Sequence, residues 1–272
     1  MENKLCPYYG ICGSCKLYQS PYQEQLIYKK KKVVQVFEKL NRSLQKDSEH
    51  QYEIFDINKI HIPIAAPDLY RYRNKMEFTF FKKENGDIGI GYHEGGQYNK
   101  FVDIADCLLM KEENATIIKL TKEWAINDKI DPYQKKSHTG ILRYLMIRNS
   151  FKTKDIIVTL ITSGGDEKMF QPLINSLLNN NIQLKGFVWA KHSDFADVAA
   201  LNDSTLLYGE DALIDSIGDK NFRIPFDSFF QVNNKAATLL YDKILSYVKD
   251  KDNVIDLFCG AGTISTYIAD KA

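Results

Sequence analysis

The sequence predicts an α/β protein in which an antiparallel α+β domain precedes the start of a doubly wound sheet. Three observations predict this class. Residues 70–81 alternate like a half-buried strand, and helical and strand-like segments then follow one another up to residue 190. Residues 253–272 read as a strand, a glycine-rich turn and a helix. The length of 272 residues suits one large domain or two ordinary ones.

The first predicted element is an amphipathic helix over residues 20–46. Ser20 is a suitable N-cap, Pro21 fits the first turn, and Glu24 lies near the position that completes a capping box. Apolar residues recur at helical spacing behind this start, at Leu26, Val33, Phe37 and Leu40.

The central part of the chain predicts an antiparallel sheet with helices. The stretch "YRYRNKMEFTFF" (70–81) alternates with its apolar residues on one face, and "ENGD" (84–87) predicts a hairpin turn. A second glycine-rich turn follows at Gly95–Gly96. The remaining predicted elements are a helix at 111–126, paired strands at 142–150 and 155–163, a helix at 167–180 and a strand at 184–190.

The end of the sequence predicts a ligand-binding turn. Residues 233–248 predict a helix, and "NVIDLFCGAGTIS" predicts a buried strand, a tight turn and a helix start. Gly260 and Gly262 let the backbone approach a ligand, and a helix N-terminus offers N–H groups to a carboxylate or phosphate. The turn is neither G-x-G-x-x-G nor a P-loop. With Asp256 before it, it is similar to motif I of S-adenosylmethionine-dependent methyltransferases. The alternative is an ordinary strand–turn–helix corner.

Positive charge is concentrated in local patches, because the net formal charge of the chain is only +1. Residues 1–46 carry nine lysines and arginines against three acids, residues 71–83 carry five against one, and residues 135–154 carry six against none. Each run alone is consistent with a solvated surface. Together, interleaved with tyrosines, they favour an anionic polymer as the partner. The sequence contains no signal-peptide core and no apolar run of about 18 residues, so we expect a cytoplasmic protein without membrane association.

Five cysteines are present, and three of them form a C-x5-C-x2-C motif at Cys6, Cys12 and Cys15. Disulfides are rare in the cytoplasm, which disfavours a disulfide knot. Cys259 lies in the glycine-rich turn, where we expect a buried small residue and not a nucleophile. With Cys107 the motif supplies four thiolates, the ligand set of a 4Fe-4S cluster or of tetrahedral zinc. Spacing leaves iron–sulfur and zinc equally open, and scattered free thiols or a C-x-x-C redox pair are the alternatives.

The cysteine loop "CPYYGICGSCKLYQ" (6–19) resembles the cluster loop of the iron–sulfur RNA uridine-5-methyltransferases, the family of rRNA and tRNA (uracil-5-)-methyltransferases. Further motifs follow in the order of that family: "RYRNKMEF", "GYHEGGQYNKFVDIADCLLM", "FFQVNNKAA" and "DLFCGAGTIS". The resemblance covers nearly the whole chain. It implies S-adenosylmethionine as a cofactor and a 4Fe-4S cluster on Cys6, Cys12, Cys15 and Cys107.

The resemblance also implies the residues of two binding sites. S-adenosylmethionine would contact Gln231 and Phe258, the backbone at Gly260 and Gly262 would hold its methionine end, and Asp256 would organise the turn. Without the family, a helix cap or a loop hydrogen bond is the simpler role for Gln231. RNA binding is implied for five basic residues. These residues are Arg71, Arg73, Lys75, Arg143 and Arg148. For Arg71 and Arg73, a solvated strand face is the alternative.

The implied reaction is methylation of uridine C5 in a structured RNA, with rRNA expected in preference to tRNA. In the family a cysteine thiolate adds to C6, which makes C5 nucleophilic toward the methyl group, and a base then removes the C5 proton. The target base must be turned out of its stack. The family's catalytic cysteine and general base lie beyond motif I, and this chain contains neither. We therefore expect the chain alone to be inactive, with no catalytic residue of its own.

The predicted organisation has four parts in a monomer. These are a cluster loop at 1–18, a helix at 19–50 that packs on the methyltransferase domain, a central α+β RNA-binding domain at 51–230, and the start of a Rossmann-like cofactor-binding domain at 231–272. The family's N-terminal RNA-binding β-barrel is not in this sequence. A non-catalytic iron–sulfur RNA-binding module made of residues 1–230 is the alternative function. The cluster is expected to be structural, because the sequence suggests no second redox site.

Overall fold

The computed structural model describes residues 6–17, 19–46, 55–192, 203–250 and 253–271. The chain divides into two compact units. One unit comprises Met1–Tyr9 with Cys15–Ala66, and the other comprises Gly10–Ser14 with Pro67–Ala272. The predicted domain boundary at residues 50 and 51 lies outside the described residues.

The smaller unit is built on helix α1 (Tyr22–Lys46), which begins two residues after the predicted start. The side-chain amide of Asn41 donates to the backbone oxygen of Phe55 and accepts from its N–H, at 2.7 and 3.0 Å. The Phe55 ring also lies edge-on to Phe37, with 5.0 Å between centroids. These contacts hold the segment around a short 3-10 helix (Ile57–Lys59) against the helix. Of the apolar stripe on α1, only Leu26 is buried within the described residues.

The larger unit contains a seven-stranded sheet, which confirms the mixed α/β class. Its strand order is β3-β2-β1-β4-β5-β6-β7, and a separate hairpin pairs β8 with β9. The strands are β1 (Lys75–Lys82), β2 (Ile88–Glu94), β3 (Gln97–Asp103), β4 (Leu142–Asn149), β5 (Ile156–Thr162), β6 (Leu184–Lys191), β7 (Asp203–Gly209), β8 (Ala212–Ile217) and β9 (Lys220–Pro225). The helices are α2 (Glu113–Asn127), α3 (Gln171–Asn179), α4 (Asn234–Leu245) and α5 (Thr263–Ile268).

The first three strands form the two hairpins that the glycine-rich turns predict. The apolar residues Met76, Phe78 and Phe80 of β1 point into the core, and the residues between them are partly exposed. The strand begins at Lys75 and not at residue 70, because the backbone of Arg71 takes up a left-handed conformation with φ of 55°. That conformation interrupts the extended chain just before the strand.

The centre of the sheet departs from the purely antiparallel prediction. Strands β4 and β5 pair antiparallel as predicted, but β5 and β6 run parallel. A parallel pair needs a long crossover connection, and the segment that contains α3 provides it. All seven residues of β5 are buried, as is typical of a strand covered on both faces.

The sequence analysis did not predict β7, β8 and β9. Strand β7 lies at the sheet edge and most of its residues are exposed, so its apolar signal is weak. The β8–β9 hairpin instead packs with α4 and α5 around a second core. Tyr241 and Ile268 are buried there together with Ile217 and Ile224 of the hairpin.

The predicted buried strand in front of the glycine-rich turn is wrong. The structure assigns no strand to residues 253–258, and Ile255, Leu257 and Phe258 are exposed. A strand is stable only when a neighbour satisfies its backbone N–H and C=O groups. No described strand pairs with this segment. Cys259 is consequently exposed, and the expectation that it is buried is also wrong.

No helix within the described ranges has both the length and the apolar character that a bilayer-spanning helix requires.

Candidate functional site

The segment of residues 226–234, which contains the predicted cofactor residue Gln231, is fixed by one buried asparagine. Asn74 lies directly before β1 and is only 1% exposed. Its side-chain amide donates to the backbone oxygen of Gln231 at 2.8 Å and to Oδ1 of Asn234 at 2.6 Å. Its backbone N–H donates to the oxygen of Val232 at 2.9 Å. Three hydrogen bonds from one residue therefore set the path of the chain from Gln231 to Asn234.

The same asparagine connects the segment to the centre of the sheet. The backbone N–H of Asn149, at the end of β4, donates to the backbone oxygen of Asn74 at 2.7 Å. The side chains of Asn149 and Asn114 in turn exchange two hydrogen bonds of 2.9 and 3.0 Å. Asn234 extends the chain of contacts by donating to the backbone oxygen of Ser216 at 2.9 Å. Buried amides that satisfy one another define a single arrangement of the backbone.

Arg148 holds the start of the 226–234 segment from β4. It is 2% exposed, and its Nη2 donates to the backbone oxygens of Ser228 and Phe226 at 2.5 and 3.3 Å. Burial lowers the pKa of Arg148 to about 10. Its Nε and Nη1 atoms have no hydrogen-bond partner among the described atoms. A phosphate could reach this guanidinium only by displacing the packing around it.

Two of the predicted RNA-binding residues line a pocket beside the 226–234 segment. Arg73 and Lys75 on one wall face Phe229 on the other, in a cavity of about 230 Å³ that Glu77 also lines. Phe229 is 74% exposed. Burial lowers the pKa of Lys75 despite the nearby carboxylate of Glu77, 3.7 Å away. Phe229 and Asn74 are not among the predicted site residues, although they lie inside the motifs "FFQVNNKAA" and "RYRNKMEF", respectively.

The glycine-rich turn has the backbone conformation that its glycines predict. Gly260 and Gly262 have φ values of 55° and 66°, and a Cβ built on either meets no atom within 4 Å. Phe258 also has a left-handed φ of 60° and is fully exposed. Asp256 accepts a hydrogen bond from Ser265 Oγ at 2.6 Å, which ties the turn to α5. The open space beside two glycines fits a cofactor that approaches the backbone closely.

Helix α5 is anchored more firmly than the turn in front of it. Tyr267 donates to Oδ1 of Asp242 at 2.6 Å, and Tyr241 shares a 2.7 Å hydrogen bond with Oγ1 of Thr263. The two tyrosine rings lie edge to face, 5.4 Å apart. Burial, followed by the hydrogen bond to Asp242, raises the pKa of Tyr267 to about 12.

Two of the four predicted cluster ligands lie on the same part of the sheet. Cys12 forms an isolated bridge with Glu94 at the end of β2, and Cys107 lies in the loop after β3, the partner of β2. Burial raises the pKa of Tyr92 well above its usual range, and the charges of Cys107 and Cys12 both add to this shift. Cys12 and Cys107 both belong to the larger unit.

The other two predicted ligands, Cys6 and Cys15, fall in the smaller unit. None of the five cysteines, all of which lie in the described ranges, forms a disulfide. Within the described residues, no group of three or more His, Cys, Asp or Glu side chains is arranged to hold a metal ion.

Arg71 fastens the loop that carries Cys107. Its guanidinium forms two parallel hydrogen bonds with Asp106, at 2.6 and 2.7 Å, and it also donates to the backbone oxygens of Cys107 and Met110. The hydrogen bond to Asp106 raises the pKa of Arg71. A bidentate pair of this kind fixes geometry as well as charge. Arg71 therefore supports the loop that carries Cys107.

Arg143, the remaining predicted RNA-binding residue, is buried at the start of β4. It donates to the backbone oxygen of His192 at 2.8 Å, and its guanidinium lies 4.8 Å from the centre of the Tyr133 ring. The five predicted basic residues therefore do not form one exposed surface. Arg73 and Lys75 share a pocket, whereas the other three hold neighbouring backbone segments.

The chain is similar to proteins that are named RNA methyltransferases. It is 33% identical over 98% of its length to an uncharacterized RNA methyltransferase of Clostridium tetani, and it covers 55% of that protein. It is 31% identical over 97% of its length to an uncharacterized RNA methyltransferase of Chlorobaculum tepidum, of which it covers 56%. The chain thus spans little more than half the length of these relatives. No protein-family model matches it.

A solved structure supports the fold. The chain is similar to the tRNA (uracil-54, C5)-methyltransferase of Pyrococcus abyssi in complex with S-adenosyl-L-homocysteine, with a TM-score of 0.69 and 24% sequence identity. The similarity covers 97% of this chain and 57% of the other. The fold of the chain is therefore similar to the fold of that structure.

Proposed function

We propose that this chain is part of an S-adenosylmethionine-dependent RNA methyltransferase that modifies C5 of uridine. One observation carries the proposal: nearly the whole chain is similar to proteins named RNA methyltransferases, with the 226–234 segment and the glycine-rich turn in one compact unit. Uridine C5 as the acceptor is supported by the resemblance of the motifs and by the name of the structural neighbour.

In this proposal S-adenosylmethionine supplies an electrophilic methyl group, and the residues of the chain hold and orient the two reactants. Gln231 contacts the cofactor from a segment whose backbone Asn74 fixes. Gly260 and Gly262 admit its methionine end, because neither backbone position carries a side chain that would fill the space. Asp256 keeps the turn attached to α5, and Phe258 offers an exposed ring beside it. Asn74 and Arg148 are positioning residues for this site.

For the acceptor, we propose a structured RNA, with rRNA preferred over tRNA. Arg73 and Lys75 supply cations beside Phe229 in a pocket that has the size of a small ligand group. Cations next to an exposed aromatic ring are the combination that recognises an unstacked base and its phosphate.

We further propose a 4Fe-4S cluster on Cys6, Cys12, Cys15 and Cys107. The support is the chemistry of the donor set, four cysteines that form no disulfide. Thiolates are the ligands that such clusters require. The proposed role is structural, and no chemical step passes through the cluster.

The first experiment tests the reaction. We expect RNA from cells that carry the gene to contain 5-methyluridine at a position where RNA from a deletion strain contains uridine, as measured by mass spectrometry of rRNA and tRNA fragments. The 272-residue chain should also bind S-adenosylmethionine in a calorimeter, and Gln231→Ala should weaken this binding while Asn175→Ala, on the exposed face of α3, leaves it unchanged. Identical 5-methyluridine content in both strains would refute the uridine assignment.

The second experiment tests the cluster, and Cys259 provides a matched control. The chain is purified without oxygen, and its iron content and visible absorption are measured. Cys107→Ser and Cys12→Ser should each lower the iron content and the melting temperature, because a missing ligand opens the cluster. Cys259→Ser should retain both values, since this thiol lies in the glycine-rich turn. A colourless protein that binds zinc, or equal iron content in all three variants, would contradict the proposal.

A further inference from the structure

The sheet carries a second concave surface, which shares no lining residue with the pocket beside the 226–234 segment. It is a cleft of about 570 Å³ formed by β1, β2, β3, β4 and the loop before β4. We call it the sheet cleft, and its walls include Phe81, Phe101, Tyr98 and Tyr144 with Lys135 and Lys136. Its volume lies within the range of sites that hold a ligand the size of a nucleotide.

We propose that the sheet cleft binds an unpaired nucleotide of the RNA substrate. This inference rests on the proposed RNA methyltransferase function, and it adds a recognition subsite that lies on the sheet, separate from the 226–234 segment and the glycine-rich turn. Three properties of the cleft carry it: a row of partly exposed rings, a lining of one charge sign, and an unpartnered polar atom in its wall.

The rings form a row and not an ordinary core cluster. Phe81 and Phe101 stack with 5.0 Å between centroids and 15° between planes, and His93 lies 4.3 Å from Phe101 on the other side. All three are only partly buried. Tyr98, near the start of β3, is 91% exposed. Exposed ring faces offer stacking surfaces to nucleobases of any sequence, because every base has a π-face.

Gly89 leaves the space that the Phe81 ring occupies on the sheet. Gly89 on β2 pairs with Phe81 on β1, and a Cβ built on Gly89 would lie 2.3 Å from the Phe81 ring. No real Cβ contact is that short. The ring can therefore lie flat across β2 only because position 89 has no side chain. In this position the Phe81 ring stacks on the Phe101 ring.

The charges of the lining favour a phosphate. Four cationic side chains border the cleft and no aspartate or glutamate is among its lining residues; the cations are Lys82, Lys135, Lys136 and Arg143. Lys82 pairs with Asp131, and the buried Arg143 donates to the backbone oxygen of His192, so Lys135 and Lys136 are the cations on which the proposal rests. Lys135 and Lys136 lie in a loop that is held by hydrogen bonds between Gln134 and Thr139 and between His138 and Gln134. Cations at the rim of an aromatic cleft are the arrangement by which proteins hold single-stranded nucleic acid.

The wall also contains a polar atom that lacks a partner. Nδ1 of His93 is buried, and no described atom forms a hydrogen bond with it. Buried polar atoms in proteins almost always have a partner. Because this atom is buried in the free chain, the proposed complex includes a turn of the His93 ring that brings Nδ1 to the edge of the stacked base. A duplex cannot supply this base edge, because its bases stay stacked inside the helix.

The test measures binding of the 272-residue chain to a fluorescein-labelled single-stranded RNA octamer and to a duplex of the same sequence, by anisotropy at several salt concentrations. We expect Tyr98→Ala to weaken binding of the single strand about fivefold or more, because one base–aromatic stack is lost. Phe81→Leu, which keeps an apolar side chain but removes the ring, should act in the same direction. The duplex should bind more weakly, and the two variants should change its affinity little.

The contribution of Lys135 and Lys136 is measured by the salt dependence of binding. Lys135→Ala with Lys136→Ala should reduce the slope of log K against log salt by about 1.4, since each single-strand phosphate contact contributes about 0.7. The matched controls are Tyr247→Ala, an exposed tyrosine on another part of the unit, and the pair Lys119→Ala with Lys168→Ala. Melting temperatures verify that every variant is folded.

The outcomes separate this inference from the proposed function. If the cleft variants bind the octamer like the unchanged chain while the gene still gives 5-methyluridine, the cleft is not an RNA subsite although the function stands. If the cleft variants lose affinity and salt dependence as expected but 5-methyluridine does not depend on the gene, the cleft inference stands and the reaction is wrong. A chain that does not bind the octamer at all overturns the cleft inference.

Discussion

Two parts of the candidate cofactor site are held in very different ways. The 226–234 segment receives hydrogen bonds from Asn74 and Arg148, which are 1% and 2% exposed. The glycine-rich turn, by contrast, has Leu257 75% exposed and Phe258 fully exposed, and its tie to the rest of the protein is the contact between Asp256 and Ser265. The first part has its shape imposed by the sheet, whereas the second keeps a shape set by its own glycines.

This difference teaches where the order of a binding site originates. Buried hydrogen bonds are costly to break, because each buried group left without a partner destabilises the folded state by about 1–3 kcal/mol. A solvated turn carries no such penalty, since water replaces any contact that it gives up. We therefore expect mutations at the two parts to have different main effects. Mutations of the residues that anchor the 226–234 segment should chiefly lower the free energy of unfolding, and mutations in the turn should chiefly lower the affinity for the cofactor.

The largest expected effect tests the anchored part. Asn74→Ala removes the donor to Gln231 and Asn234, and it leaves two acceptors in a buried environment. The free energy of unfolding should fall by about 2–4 kcal/mol, measured by urea denaturation. Asn175→Ala, which removes an exposed asparagine of α3, is the control and should change it by less than about 0.5 kcal/mol. A loss for Asn74→Ala as small as that of the control would mean that Asn74 does not anchor the segment.

The second prediction concerns the helix behind the turn. Tyr267→Phe removes the hydrogen bond to Asp242, which should cost about 1–2 kcal/mol. The effect depends on pH. Because the pKa of Tyr267 rises from 10 to about 12 on folding, the folded protein keeps a proton that the unfolded chain loses. This contribution is complete below pH 10 and disappears as the pH rises toward 12.

The measurement for Tyr267 is the melting temperature between pH 8 and pH 12. The unchanged chain should lose stability across pH 10–12 more steeply than Tyr267→Phe, which has no hydroxyl at this position. Parallel curves for the two proteins would show that Tyr267 is not held in its neutral form by α4.

The third prediction tests the turn, where the expected loss of stability is no larger than for Tyr267→Phe. Gly262→Ala forces an alanine into a left-handed conformation, at a cost of about 1–2 kcal/mol, while its Cβ meets no neighbouring atom. The affinity for S-adenosylmethionine should fall at least about tenfold, because the methyl group occupies the space through which the cofactor approaches. Gly164→Ala is the matched control, since its surroundings are equally open but its φ is not positive. Retained affinity in Gly262→Ala would remove the turn from the proposed cofactor site.

Much of the fold could be predicted from local patterns. The alternation in β1, the turns at 84–87 and Gly95–Gly96, and the periodicity of α2 and α4 are each decided within a short stretch of chain, and the structure confirms them. The failures fall where a distant neighbour decides. The sequence "NVIDLF" has the apolar character of a buried strand, yet a strand forms only where another strand pairs with it. Likewise β7 and the β8–β9 hairpin draw their stability from contacts far away in sequence.

By itself, then, the sequence determined the α/β class, most helices and strands, and the glycine-rich turn, because propensity and periodicity act over a few residues. It also placed Gln231 and the four cysteines in recognisable motifs, whose ligands remain proposals. Only the tertiary structure decided that the guanidinium groups of Arg148 and Arg143 donate to backbone oxygens. It also decided that Arg71 pairs with Asp106 and that Asn74 holds Gln231 in place. Such contacts join residues up to 157 positions apart, and burial of the polar groups, which only folding creates, makes them strong.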